Sequence, residues 1–66
     1  MKVDGEKIRI LRKKAGMSQY KLSLKIDALR GSISDWENDK SNPSKKFVKQ
    51  LAEVFNVPIR VLRERE

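Results

Sequence analysis

The 66-residue chain carries 16 Lys and Arg against 9 Asp and Glu, a formal net charge of +7, and has neither Cys nor His. That length makes one small domain, residues 1–66. The missing residue types remove disulfides, thiolate ligands and the commonest general base. Catalysis would fall to carboxylates, Ser and Lys on a tiny scaffold, so no enzyme activity, metal or cofactor is expected. No apolar run approaches the roughly 20 residues that span a bilayer, and no signal-peptide core is present. The chain therefore reads as soluble and cytoplasmic, with no membrane partner. Its basic balance implies an anionic partner or mere solubility. By itself "RKK" at Arg12 to Lys14 is only a solvated helix face.

The segments are short, apolar-periodic and clearly punctuated, the pattern of a small helical bundle. Asp4 is the N-cap of a first helix, with Val3 and Ile8 at the hydrophobic-staple positions. Ile8, Leu11 and Ala15 share one face, and Gly16 ends the helix in the left-handed conformation. Ser18 caps a second helix, with Met17 and Leu22 as its staple and Leu22 and Ile26 on one face. At about two and a half turns it is too short to stand without packing. Asp27 supplies a sharp left-handed turn. A third helix runs from about Arg30 to Asn38, with Ile33 and Trp36 inward. "NDKSNPS" is a loop, and Pro43 precludes helix there. Ser44 caps a fourth helix with Val48, Leu51, Ala52 and Phe55 inward, stopped by Asn56. Pro58 stands at or beside the start of a fifth, which carries Ile59 and Leu62 and ends in "RERE".

Two short helices joined by a tight turn make a helix-turn-helix, placed at about 18–38. That geometry asks for apolar residues at 22 and 26, a small residue where the helices cross, a turn at 27, and apolar residues at 28, 33 and 36. Leu22, Ile26, Ser23, Asp27, Ala28, Ile33 and Trp36 meet it.

On these residues "MSQYKLSLKIDALRGSISDWENDKSNPS" resembles the Cro/CI-type, or XRE-type, helix-turn-helix repressor family. The likeness covers about Gly5 to Leu62 and includes "LRKKAGMSQ", "SQxxL", "ISxWEN", "NPS" and "LAxxFNVP". It implies an all-α, five-helix, lambda-repressor-like DNA-binding domain. Ser23, Asp27 and Asp39 replace the family's usual Ala, Gly and Gly, each with a small or left-handed-tolerant residue. Leu29 stands where the family offers a Ser or Thr cap. Losing that cap costs about 0.5–2 kcal/mol, and Gly31 adds roughly 1 more. The third helix is therefore expected to fray at its start or to begin later, with Ser32 as cap, and its first turn to be the softest part of the domain.

The resemblance also implies roles. Arg12 and Glu37 match a pair that ties the first helix to the third, against the alternative of a solvated surface pair. Gln19 matches a phosphate contact at a helix N-terminus, where backbone N–H groups welcome an anion. Asn38 matches a second phosphate contact, and Lys21, Lys40 and Lys45 lie on segments flanking the duplex, each either a phosphate contact or simply solvated. Phosphate contacts position; base contacts specify. With Ile33 and Trp36 inward, Arg30, Gly31, Ser34 and Asp35 face outward, where a recognition helix meets base edges. Arg30 suits guanine, or else a phosphate. Asp35 suits cytosine N4, or else balances local charge. Gly31 permits close approach. Trp36 reads as core rather than as a base-stacking aromatic.

Ile10 and Leu24 fit no inward stripe. With Val57, Ile59 and Val61 they are material for self-association, since family members commonly bind as twofold dimers through C-terminal helices. A homodimer would set two recognition helices about 34 Å apart on a near-palindromic operator. The expected function is a sequence-specific double-stranded-DNA-binding transcriptional repressor, either complete or the DNA-binding domain of a longer chain. The rivals are an antitoxin or other protein-binding module on this fold, and a non-specific DNA binder.

Overall fold

The computed structural model describes residues 2–63; Met1 and, of the "RERE" tail, Glu64, Arg65 and Glu66 lie outside the described residues. Five helices follow in order: α1 Gly5–Lys14, α2 Gln19–Ile26, α3 Arg30–Glu37, α4 Lys45–Phe55 and α5 Ile59–Arg63. No strand occurs among the described residues.

The punctuation works largely as its chemistry dictates. Asp4 accepts from the Glu6 N–H and Ser18 from the Lys21 N–H, so α1 and α2 begin on true side-chain caps. Ser44 holds the capping backbone conformation at the start of α4, but its side chain makes no cap hydrogen bond. Helices α1 to α4 each stop at a residue with positive φ: Gly16, Asp27, Asp39 and Asn56. Around three of these stops the backbone closes the same pair of bonds. Met17 N donates to Arg12 O and Gly16 N to Lys13 O; Lys40 N to Asp35 O and Asp39 N to Trp36 O; Val57 N to Ala52 O and Asn56 N to Glu53 O. This is the Schellman arrangement, which satisfies carbonyls a helix end would otherwise orphan.

The core is one cluster: Val3, Ile8, Met17, Leu22, Ile26, Ile33, Trp36, Val48, Leu51, Ala52 and Leu62, with Leu11, Ala28, Phe47, Val54, Phe55 and Ile59 packed against it. The helical stripes and staple pairs anticipated the buried cluster, but they missed Phe47 and Val54 packed against it and placed Ala15 inward. Ala15 is exposed, because it lies one residue beyond α1 and its Cβ no longer follows the helical face. The Trp36 and Phe47 rings meet at 5.3 Å between centroids, tilted by 47°, which fixes Trp36 as a packing residue.

The N-terminal segment is stitched across the fold. Val3 N donates to Asn42 Oδ1 and Gly5 N to Asp39 Oδ1. Asp4 N donates to Leu62 O. Gly5 lies so close to the end of α3 that an added Cβ would stand 2.1 Å from Trp36 O. The side chains of Asp39 and Asn42, in the loop after α3, thus anchor the N-terminal segment. That fixes the C-terminal end of α3 from outside the helix.

Helix α3 starts at Arg30, not later, and Ser32 is not its cap. Leu29 occupies the N-cap position with φ −75° and ψ 143° and supplies no side-chain hydrogen bond. The first turn still closes, with Ser32 N donating to Leu29 O at 3.0 Å and Ile33 N to the same oxygen at 3.3 Å. A missing cap costs only about 0.5–2 kcal/mol. Burial of Ile33 at 0% and Trp36 at 5% exposure offsets that, since fully burying such side chains is worth about 1.5–3 kcal/mol each.

Candidate nucleic-acid interface

The pairing of α2 with α3 rests on three local facts. Asp27 takes φ 57° and ψ 45°, the sharp left-handed turn the motif asks for. Ser23 is buried, and its hydroxyl donates to Tyr20 O at 2.6 Å. A small side chain there lets the helices approach, and the hydroxyl carries its own partner into the core, as buried polar groups must. Leu22 and Ile26 from α2 and Ile33 from α3 then close the apolar contact.

A buried ionic network locks this unit to α1. Arg12 Nε donates to Glu37 Oε2 at 2.6 Å and Arg12 Nη2 to Glu37 Oε1 at 3.0 Å. The third nitrogen, Nη1, donates to Met17 O at 2.8 Å, tying in the loop before α2. The Glu37 side chain is fully buried and that of Arg12 is 10% exposed, so the solvated-pair alternative is ruled out. Gln19 Nε2 adds a bond to Glu37 Oε1 at 3.1 Å. The hydrogen bond that Arg12 donates to Glu37 raises the Arg12 pKa against the opposing effect of burial. For Glu37, burial alone would push the carboxyl up. Bonds from Arg12 and Gln19, and the charges of Arg12 and Arg9, outweigh it and hold the pKa below the usual value. Both groups are charged at neutral pH. The network fixes where α3 sits, and with it everything α3 presents.

Arg9 belongs to the same network and was not foreseen. Its Nη2 donates to Asn38 Oδ1 at 3.3 Å and its Nε stands 3.6 Å from Glu37 Oε1. The available signal was its i, i+3 spacing from Arg12, which puts both on one face of α1.

The outward face of α3 is polar. Arg30, Gly31 and Asp35 are exposed; Ser34 is half-buried, so it offers less than its outward register suggested. Asn38 is exposed, with its Nδ2 donating to Ser34 O at 2.9 Å. Lys21, Lys40 and Lys45 are exposed, and Gln19 is half-buried against Glu37. The exposed residues of α3 stand opposite its buried face of Ile33, Trp36 and Glu37, while Gln19 and Lys21 begin α2 and Lys40 and Lys45 flank the loop to α4. Val57, Ile59 and Val61 are half-buried. Val57 and Ile59 line a shallow groove with Ala52 and Pro58; Val61 does not. Ile10 and Leu24 are exposed at 51% and 63%. Among the described residues no group of acidic side chains is placed to hold a metal ion, and no helix is long and apolar enough to cross a membrane.

The arrangement is that of proteins already solved. A family model described as helix-turn-helix matches residues 8–62. The restriction-modification controller protein C.AhdI from Aeromonas hydrophila is 28% identical, with 88% of each chain covered and a TM-score of 0.81. SinR, the master regulator for biofilm formation, solved in complex with DNA, is 28% identical over 91% of this chain and 97% of that one, with a TM-score of 0.84. The N-terminal DNA-binding domain of SinR from Bacillus subtilis is 27% identical over 94% and 91%, with a TM-score of 0.85. No curated protein sequence matches. By motif, fold and family match, the chain belongs to the Cro/CI-type, or XRE-type, helix-turn-helix family.

Proposed function

We propose that this chain is a sequence-specific double-stranded-DNA-binding transcriptional regulator, a repressor, that lays α3 in the major groove. The observation that carries the reading is the two-faced α3. One face, Ile33, Trp36 and Glu37, is buried, while Arg30, Gly31 and Asp35 stand free. A B-DNA major groove about 12 Å wide admits such a helix. The likeness to SinR, solved in complex with DNA, supports DNA as the partner.

In this reading Arg30 donates to guanine O6 and N7, Asp35 accepts from cytosine N4, Ser34 plays a lesser part, and Gly31 lets the backbone come close. Gln19, Lys21, Asn38, Lys40 and Lys45 meet phosphates. Gln19 suits both tasks, because its amide has two N–H donors and Glu37 takes one. Val57, Ile59 and Val61 contribute to a homodimer surface, with Val57 and Ile59 in the α4–α5 groove. Twofold symmetry then calls for a near-palindromic operator with half-sites one helical turn, about 34 Å, apart. The function is binding, without a catalytic step, and belongs in the cytoplasm with its DNA.

The test is binding to duplexes selected from a random pool, compared with unselected duplexes over a range of salt. A strong preference for the selected set is expected, with affinity falling as salt rises because counterions leave when phosphates are neutralised. Equal affinity for all sequences would make the chain a non-specific binder and overturn the reading.

A further inference from the structure

We propose that Leu29 is a specificity-determining residue that reads the C5-methyl group of a thymine beside the base pair met by Arg30. The proposal rests on α3 being the groove-reading helix. Leu29 is the most exposed large apolar side chain among the described residues, at 77%, ahead of Leu24, Tyr20 and Ile10. Those three belong to α1 and α2. Leu29 alone of the four stands at the entrance to α3, next to Arg30.

Its backbone is built for a different residue. At φ −75° and ψ 143° it matches Ser18, at φ −78° and ψ 167°, whose hydroxyl caps α2. A Ser at 29 would place a hydroxyl in the backbone conformation from which Ser18 caps. Leu offers no such hydroxyl, and at 77% exposure it gains little burial within the domain in exchange. Its capacity for apolar contact is left to whatever α3 docks against. Around Gly31 an added Cβ would meet nothing within 4 Å, so the first turn is bare and can approach base edges closely. Of the groups that the four base pairs display in the major groove, the thymine methyl is the apolar one. An exposed Leu at the leading end of a recognition helix matches that group and no hydrogen-bonding base edge.

The experiment uses duplexes selected for binding and replaces each thymine singly with deoxyuridine, which removes only the methyl. Wild-type protein is expected to lose about fourfold in affinity at one position per half-site, the worth of one buried methyl at about 0.8 kcal/mol. Leu29→Ala is expected to bind the parent duplex more weakly and to become indifferent to that one replacement. It should keep its response to changes at the Arg30 base pair. Because Leu29 is exposed, thermal melting should show the variant folded like the parent. Wild-type indifference to every deoxyuridine overturns the assignment, as does a Leu29→Ala protein that keeps the same sensitivity at the same position. If selected and random duplexes bind equally, the DNA-reading function itself fails and takes the Leu29 assignment with it.

Discussion

Glu37→Gln should unfold much of the margin on which this domain stands. The substitution keeps the shape and removes the charge, leaving the Arg12 guanidinium, 10% exposed, against a neutral partner. Breaking a buried pair from one side costs about 3–5 kcal/mol. At about 0.05–0.15 kcal/mol per residue, the 66-residue chain has only about 3–10 kcal/mol in total. Urea unfolding at pH 7, followed by helical circular dichroism, should show the midpoint fall by a third or more, or no folded baseline at all. Arg12→Met combined with Glu37→Met removes both charges together, so the double variant should be more stable than the sum of the single losses allows. The same carboxyl sets an acid limit. An unfolded Glu titrates near about 4.3, and the folded Glu37 titrates lower. Its contribution is complete above the unfolded value. It is lost as pH falls from there through the folded value, because the unfolded chain takes up the proton first. In Glu37→Gln this part of the acid slope should vanish. A loss under about 1 kcal/mol, the worth of an exposed pair, or single losses that simply add, would refute the claim that the network is buried and coupled.

Four further outcomes follow from particular positions. Gly5→Ala places a Cβ 2.1 Å from Trp36 O; the forced shift should cost about 1–3 kcal/mol, read as a drop in urea midpoint. Asn56→Ala removes a non-glycine type that tolerates φ 56° and should destabilise by about 1 kcal/mol, which lowers Tm by about 4–8 °C in a domain of this size. Leu29→Ser restores a cap acceptor at a backbone already in the capping conformation and should raise stability by about 0.5–2 kcal/mol; an unchanged Tm would mean the hydroxyl does not reach the α3 N–H groups. Arg30→Ala should lose about 1–3 kcal/mol of discrimination at one base pair, whereas Gln19→Ala should weaken all duplexes alike; uniform weakening by Arg30→Ala would make Arg30 a phosphate contact.

The fold was legible because its signals are local. Asp4, Ser18, Gly16, Asp27 and Asn56 announce starts and stops through side-chain chemistry that acts within a few residues. The inward stripes follow from 3.6-residue periodicity, and Ala15 strays only because it lies past the helix end. Less legible were the features that depend on residues far apart in the chain. Nothing near Gly5 in sequence reveals that a carbonyl at residue 36 will stand where its Cβ would be. Asp39 could be read as a turn residue, but not as the acceptor for Gly5 N, nor Asn42 as the acceptor for Val3 N. Arg9 carried no sign of its reach to Asn38 and Glu37 beyond helical spacing. The late start expected for α3 failed for the same reason. Propensity counts the missing cap and the glycine, while the burial of Ile33 and Trp36 is a tertiary quantity that outweighs them.

That outcome reveals a polarity within α3. Its stabilising contacts concentrate from Ile33 onward: Ile33 and Trp36 in the core, Glu37 in the ionic network, and the Schellman closure at Asp39 and Lys40. Its entrance and first turn hold Leu29, which supplies no side-chain cap, and Gly31, where an added Cβ would meet nothing within 4 Å. A helix anchored at its C-terminal half keeps its direction even when its first turn is built for something other than stability. Residues 29–38 hold one Arg against Asp35 and Glu37, and that near-neutral charge fits the same division. In the proposed reading the phosphates are met from α2, from the loop after α3 and from the start of α4, so α3 can present Leu29, Arg30 and Asp35 as three chemically distinct groups. Substitutions in the first turn should therefore change which sequence is bound while leaving the fold intact, and substitutions from Ile33 onward should do the reverse.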